Sequence, residues 1–533
     1  MKEEFFTKDM IKIALTGVTG AMGGEVLKSL LASPKNFEIK CIVYEEEKRV
    51  PKFVKKLLKQ GKKRVTTFKG NIAKFEDCEK LIEGCDYLIN CASIIPPKSD
   101  HDPDATYLSN FVGTKNLVDA VIKSGRADEI GFVHIATVAM YGNRSYPHVW
   151  GRVGDPIISS DYDYYSLYKL KAERYLLESG LKKFVSLRQT GVLHKYMFAN
   201  NLKDGLMFHT SWNCVLEWVT DVDSGRLCNN LVERDLDGKL EGFWSRIYNI
   251  GGGRECRVSG YETLDAGFSL MGRSAKKFFK PNWNIPRNFH GVWFYDSRDL
   301  EEYVQFRSES FDDYWTRMGK KYAWFKLAKI VPAPLISKFV FKRLFKNTNA
   351  PMYWIKHDKQ GRIKAFFGGK DKFEAIGTDW SKYRLLCEGK TPIGEVDYEA
   401  LKSKAYAEEY GLLLDHGYDE SKPLVKLEFA DLQQAAEFRG GKCLSSDYKA
   451  GDIYKKIKWQ CREGHEFVST PYTILKGGYW CPECCEPKPW RYGALAKDIP
   501  FYAQVYYDTH DKSEENDVYP LNDTEDEFIK IKK

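Results

Sequence analysis

Tyr165 and Lys169 stand four residues apart, 28 residues after Thr137, and a glycine-rich turn with Gly17, Gly20 and Gly23 opens the chain. Four residues is about one helical turn, so the phenol and the ammonium share a face if this segment is helical. An ammonium beside a phenol favours the phenolate and draws its pKa down from about 10. With the Thr137 hydroxyl to hold a substrate oxygen, these are the parts for moving a proton on or off a carbinol while a hydride moves elsewhere. The Tyr-x-x-x-Lys spacing alone recurs by chance in a tyrosine-rich chain. Its place after a nucleotide-binding turn gives it weight.

The elements that would position these groups are legible around them. Residues 11–16 read as a short apolar strand, Gly17-Val-Thr19-Gly20-Ala-Met22-Gly23-Gly24 as a turn, and Val26, Leu27, Leu30 and Leu31 as the apolar stripe of a helix. Glycines let backbone approach a pyrophosphate, and the following helix N-terminus offers free N–H groups, so Gly17, Thr19, Gly20, Met22 and Gly23 are candidate cofactor contacts. A second strand over Ile39–Tyr44 ends where the cofactor is normally selected. Tyr44 is followed there by Glu45, Glu46 and Glu47 and then by Lys48 and Arg49, so the signals for a ribose hydroxyl and for a 2′-phosphate conflict. Asn71 and Ile72 follow a third strand-like run, Asn71 within reach of an adenine edge. A fourth strand from Asp86 ends in Cys91, Ala92 and Ser93, small enough for backbone to pass beside a cofactor.

In this order the landmarks resemble the extended short-chain dehydrogenase/reductase family, often labelled the NAD-dependent epimerase/dehydratase family. They run from about residue 11 to about residue 318: Thr16–Gly23, Asn90–Ser93, Asn110–Leu117, Ala136–Gly142, Tyr165–Lys169, Leu187–Val192, Trp218–Val222 and Tyr248–Gly253. The resemblance implies an α/β fold, a Rossmann-type doubly wound parallel sheet with a smaller substrate subdomain. It implies Tyr165 as general acid/base, Lys169 on the nicotinamide ribose, Thr137 in the serine/threonine role, Asn110 as the supporting asparagine, NAD or NADP as cofactor, and a homodimer. Two departures narrow the activity. Ala136 precedes Thr137 where a second hydroxyl is usual. Val138 and Ala139 follow it where sugar-nucleotide 4,6-dehydratases carry an Asp-Glu pair, so an acid and base for removing water are missing. The Leu187–Leu193 stretch is more similar to the 3β-hydroxysteroid dehydrogenase and dihydroflavonol reductase branch than to sugar epimerases.

At 533 residues and 43% hydrophobic content the chain is long enough for two or three domains with proper cores. Its thirteen cysteines are odd in number and scattered, and the acidic N-terminus lacks a signal-peptide core, which reads as reduced thiols in the cytoplasm. No apolar run approaches the roughly 20 residues that span a bilayer. A net charge of +8 is modest for this length and does not single out nucleic acid. Its distribution says more. Lys320–Ala350 holds eight Lys or Arg and no acid, interleaved with Trp324, Phe325, Leu327, Ile330, Leu335, Ile336, Phe339, Val340, Leu344 and Phe345 and divided by Pro332 and Pro334. Such a segment over 320–346 can lie among the headgroups of an anionic membrane at its inner face. The competing reading is a core-packing helix pair with a solvated basic face.

Near the C-terminus, Cys461-x-x-x-His465 and Cys481-x-x-Cys484 supply four ligands, 15 residues lying between the pairs. They are a tetrahedral set for zinc, and with no position left for water the metal would be structural. Cys443 and Cys485 stand by as substitutes for His465. Gly-Gly-x-Cys443-Leu-Ser, Trp459-x-Cys461-x-x-Gly-His465 and Trp480-Cys481-Pro-x-Cys484 resemble a small zinc-binding module also found in nuclease-associated proteins. That raises nucleic acid as a ligand, with Lys449, Lys455, Lys456, Lys458 and Lys476 for phosphates and Trp459 and Trp480 for stacking, although Glu463, Glu466 and Glu483 dilute the charge.

The expected division is a dehydrogenase/reductase domain over 1–318, the basic amphipathic segment over 319–375 and a mixed linker over 376–435. A zinc-ribbon-like module over 436–490 and an acidic, partly disordered tail over 491–533 complete it. The leading expectation of function is NAD(P)-dependent interconversion of a secondary alcohol and a ketone on an apolar, steroid- or lipid-like small molecule. Trp212, Trp218, Trp244, Trp283 and Trp293 are candidates to line its pocket, with core packing as the competing reading for each. A nucleotide-sugar epimerase with bound NAD is the alternative enzyme. A partner- or nucleic-acid-binding zinc protein with a redox-sensing dinucleotide domain is the alternative of another class.

Overall fold

The computed structural model describes residues 10–197, 200, 202–485, 490–519 and 529–530. Its largest sheet has seven strands: β1 Ile11–Thr16, β2 Phe37–Tyr44, β3 Val65–Gly70, β4 Tyr87–Asn90, β5 Gly131–Thr137, β6 Phe184–Gln189 and β7 Arg246–Ile250. They lie in the order β7-β6-β5-β4-β1-β2-β3, every neighbouring pair parallel. Helices α1 Ala21–Ala32 and α4 Asp221–Leu236 cover one face, and α2 Gly113–Lys123 and α3 Tyr164–Leu177 cover the other. Central strands are therefore apolar on both sides: Ile13 and Leu15 of β1 enter one core cluster and Ala14 the other. This is the doubly wound α/β fold, with β1 and β4 adjacent where the strand order reverses and a crevice opens at their C-terminal ends.

A smaller subdomain stands over those ends. Its aromatic core of Phe208, Trp212, Phe268, Phe279 and Trp283 is continued by Ile336, Phe341 and Leu344, and α5 Phe311–Lys321 packs beside it. Trp212, Trp283 and Trp293 are buried core. Trp244 donates to Asp235 at the far side of the sheet, and only Trp218, packed against Gly191 beyond β6, stays near the crevice.

The C-terminal part holds an antiparallel sheet of β8 Gly441–Cys443, β9 Ile457–Cys461 and β10 Glu466–Ser469, with helices α6 Phe429–Phe438 and α7 Pro500–Tyr506. It does not stand apart. Ile158, Tyr162, Tyr164 and Leu167, before and within α3, share one core with Trp354, Phe366, Trp480, Trp490 and Tyr502. The acidic tail expected from residue 491 is packed structure as far as Tyr519. Phe501 and Tyr502 of α7 are buried, and Glu514 is buried in an ion pair with Arg287 at 2.5 Å. The charge of this stretch hid its aromatic spacing and the cation that waits for Glu514 elsewhere. The remainder of that expected tail, 520–528 and 531–533, lies outside the described residues.

Candidate active site and candidate metal centre

The glycine turn is shaped as a cradle. Gly17 has φ +69°, and a Cβ there would lie 2.6 Å from the Cys91 carbonyl; a Cβ on Gly23 would lie 2.2 Å from the Gly17 oxygen. Any larger residue would drive β1 and β4 apart. Gly20 caps α1 without a side-chain bond, so the first N–H groups of that helix face the crevice without a side-chain partner, a place for an anion. Thr16 Oγ1 accepts from Ala92 N at 2.9 Å and donates to Asn90 at 2.7 Å, which seats the Cys91–Ser93 turn beside Gly17.

At the end of β2, Tyr44 is exposed, its phenol donating to Glu46 at 3.2 Å. Glu45 is engaged by Lys74 at 2.9 Å and faces the Asn71 amide, while Lys48 is exposed. Asn71 also accepts from Ala73 N, and Ile72 is buried against Gly113. The ribose end of the crevice is thus polar with both signs of charge within a few residues.

Helix α3 begins at Asp163, whose carboxylate accepts from Ser166 N at 2.9 Å. That cap places Tyr165 and Lys169 one turn apart on the face toward β5. Tyr165 is partly buried, and the Thr137 and Ser93 hydroxyls lie close enough to its phenol to act on its pKa. Burial pushes it up to about 12, the Thr137 bond pulls it back, the Asp163 charge adds to the rise, and the Ser93 bond again lowers it. The expected drop below 10 under the influence of Lys169 is not found. The Lys169 ammonium donates to the Ile135 carbonyl of β5, and burial draws its own pKa down to about 8, with Cys91 and Glu173 opposing. Desolvation is the largest influence on both groups. At neutral pH Tyr165 is a phenol, equipped to give a proton.

Asn110 does not reach the phenol. It sits in a π-helical turn, Tyr107–Val112, and clamps the loop beyond β4 through Ile94: its Oδ1 accepts from Ile94 N at 2.8 Å and its Nδ2 donates to Ile94 O at 2.9 Å. It is a positioning residue for Ser93. Thr137 Oγ1 accepts from Ala139 N at 3.1 Å, which fixes the hydroxyl beside Tyr165. Sequence reasoning missed the Ser93 hydroxyl as a neighbour that acts on the phenol, reading it only as a small residue. It also missed Glu173, one turn beyond Lys169, which accepts from Ser186, from Arg188 and from Tyr479. A buried Arg188 in the middle of β6 was the available signal for a buried acid.

Cys461, His465, Cys481 and Cys484 come together with one ligand atom of each within 4.8 Å of all the others. Cys461 Sγ lies 3.5 Å from His465 Nδ1 and 3.8 Å from Cys484 Sγ; His465 Nδ1 is 3.3 Å from Cys484 Sγ and 3.8 Å from Cys481 Sγ. Tetrahedral zinc with sulfur at about 2.3 Å and nitrogen at about 2.0 Å separates its ligands by about 3.5–3.8 Å. The donor set fits. Cys485 instead accepts from Tyr502, and Cys443 is buried in β8 outside the cluster. Trp459 and Trp480 are buried against each other, which removes both as stacking platforms for bases.

Residues 13–196 match the sequence model of the NAD dependent epimerase/dehydratase family. Among curated proteins, D-erythronate dehydrogenase of Haemophilus influenzae is 26% identical over 133 residues, which are 25% of this chain and 39% of that protein; the match thus spans well under half of that relative's length. Similar solved structures include a double mutant of dTDP-glucose 4,6-dehydratase from Streptomyces venezuelae with NAD bound, at 19% identity and TM-score 0.47 over 60% of this chain and 100% of that one. Another is UDP-glucuronic acid 4-epimerase from Bacillus cereus in complex with UDP-glucuronic acid and NAD, at 19% identity and TM-score 0.47 over 60% and 99%.

Proposed function

With residues 13–196 matching the NAD dependent epimerase/dehydratase family, we propose that the chain is an enzyme that interconverts a secondary alcohol and a ketone on an apolar small molecule with NAD or NADP. One observation carries this reading: Tyr165 and Lys169 lie one turn apart on α3 facing β5, the Thr137 and Ser93 hydroxyls beside a phenol that is still protonated at neutral pH. The dinucleotide, when bound, supplies or accepts the hydride. Gly17, Thr19, Gly20 and Met22 would hold its pyrophosphate and Lys169 its ribose. Tyr165 gives its proton to the carbonyl oxygen that Thr137 orients, and takes it back in the reverse direction. Buried Val138 and Ala139 beside Thr137 offer no acid or base for elimination. Ile94 and Ile95, following Ser93, favour an apolar substrate over a diphosphate.

The test is a panel of ketones and nucleotide sugars with NADH and NADPH. Reduction of an apolar ketone with consumption of added cofactor supports the proposal. Inversion of a nucleotide sugar without cofactor turnover would replace it with an epimerase. We infer further that Cys461, His465, Cys481 and Cys484 hold a structural zinc, which metal analysis of the purified protein checks at about one per chain.

A further inference from the structure

The acid-free stretch following α5 is not folded away. Its two halves, Ala323–Ile330 and Ala333–Leu344, rest on the aromatic core of the smaller subdomain through Phe325, Ala328, Ile336, Phe341 and Leu344. The alternating side chains that do not enter that core project to the outside. Ile330 is 81% exposed, Leu327 and Phe339 66% and Trp324 63%, with Val331 and Leu335 also exposed. Exposed apolar side chains are ordinary when scattered; this many within 17 residues are a surface with a purpose. All eight Lys and Arg of 320–346 are exposed as well, and none forms an ion pair among the described residues. The segment is held rigidly rather than dangling, since Arg273 donates to the carbonyls of Lys329 and Val331 at 2.7 and 2.6 Å.

We propose that this surface docks the enzyme on an anionic membrane, Trp324, Leu327, Ile330 and Phe339 entering the acyl boundary and the surrounding lysines meeting lipid phosphates. Charge decides the occupant. A protein partner or a second copy would need acidic groups to face eight unpaired cations, whereas an anionic leaflet offers a field of them around an apolar interior. The root of the segment also lies beside the crevice. Tyr322 Oη and Lys321 Nζ donate to the Lys195 carbonyl, both at 2.6 Å, and Lys195 Nζ reaches Glu25 of α1 at 3.0 Å. Docking would therefore present the entrance to molecules dissolved in the bilayer, a consequence that rests on the apolar-substrate reading, whereas the docking itself does not.

The test is flotation of the full chain with vesicles of phosphatidylcholine alone and of phosphatidylcholine mixed with phosphatidylserine. Wild type is expected to float with the mixed vesicles, less so at raised salt. The triple variant Leu327→Ser, Ile330→Ser, Phe339→Ser is expected to lose at least tenfold in partitioning. A second variant, Lys326→Gln, Lys329→Gln, Lys338→Gln, should lose the preference for phosphatidylserine. All substituted side chains are exposed, so unfolding temperature should be unchanged. A Trp324→Phe difference spectrum should show the indole emission moving to the blue with mixed vesicles. Failure to float, or flotation indifferent to both variants, would overturn the proposal. So would a lipid-free dimer that the apolar triple variant dissolves, since the surface would then be a self-interface. None of these outcomes depends on turnover, so they separate from failure of the redox reading.

Discussion

At the scale of single residues, burial governs both proton-handling groups. Tyr165→Phe removes the hydroxyl beside Thr137 and Ser93 and little volume, so turnover should fall by about 10²–10⁴ while cofactor affinity measured by fluorescence titration stays nearly unchanged. Retained activity would move the proton donor to another group. Lys169 makes a different forecast. Its pKa is drawn down to about 8 in the fold from 10.5, so the folded state binds fewer protons than the unfolded chain between those values. The burial penalty is then fully present below about pH 8 and is relieved as pH rises toward 10.5. Lys169→Met should lose turnover and cofactor affinity yet gain stability, on the order of 2 kcal/mol at neutral pH and less toward pH 10. Thermal unfolding across that range checks it; a variant less stable than wild type at neutral pH would contradict the assignment of the penalty. The identity and order of Tyr165, Lys169 and Thr137 were readable in the sequence because each is defined by residue type and spacing. The behaviour of the pair was not, because the desolvation that sets it appears in no motif.

At the scale of elements, α3 is held from both ends of the chain. Arg174 donates to the Trp480 carbonyl at 2.8 Å, and Tyr479 donates to Leu170 O and Glu173, the two residues immediately before Cys481 thus gripping the helix that carries Tyr165. The Cys481–Cys484 knuckle, expected from sequence to belong to a separate zinc-ribbon-like module, is seated on the helix that carries Tyr165. Replacing Cys481 and Cys484 with serine should release the proposed zinc, lower the unfolding temperature of a single transition and reduce hydrogen-exchange protection along Tyr164–Leu177. Unchanged protection there, with the metal gone, would show that the knuckle folds independently. The strands and helices of the large sheet were legible from apolar runs and the glycine turn. The seating of the knuckle was not, since Tyr479 and Trp480 look like any zinc-proximal aromatics until their partners are known.

At the scale of the molecule, the late segment supplies acids to early cations. Glu514 is held down to about 2: burial alone would raise it, but its hydrogen bonds and charge pairing with Arg287 prevail. That stability is present above the unfolded value near 4.5 and is lost as pH falls through about 2. Glu514→Gln should flatten the acid limb of the unfolding profile and, by leaving Arg287 buried without its partner, cost about 3 kcal/mol at neutral pH; an acid limb identical to wild type would place the acid sensitivity elsewhere. Arg188, already paired with Glu173 at 2.7 Å, makes a contact over a longer interval. Its guanidinium donates to the Gly477 carbonyl across 289 residues of sequence, and Arg174 reaches Trp480 across 306. A ribosome adding about 5–20 residues per second needs roughly 15–60 s to cover that interval. Throughout it Arg188 and Arg174 have their nearby acids, Glu173 and Glu178, but not these carbonyls. The face of α3 that Tyr479 and Trp480 cover is therefore completed only after residues 477–480 have been made.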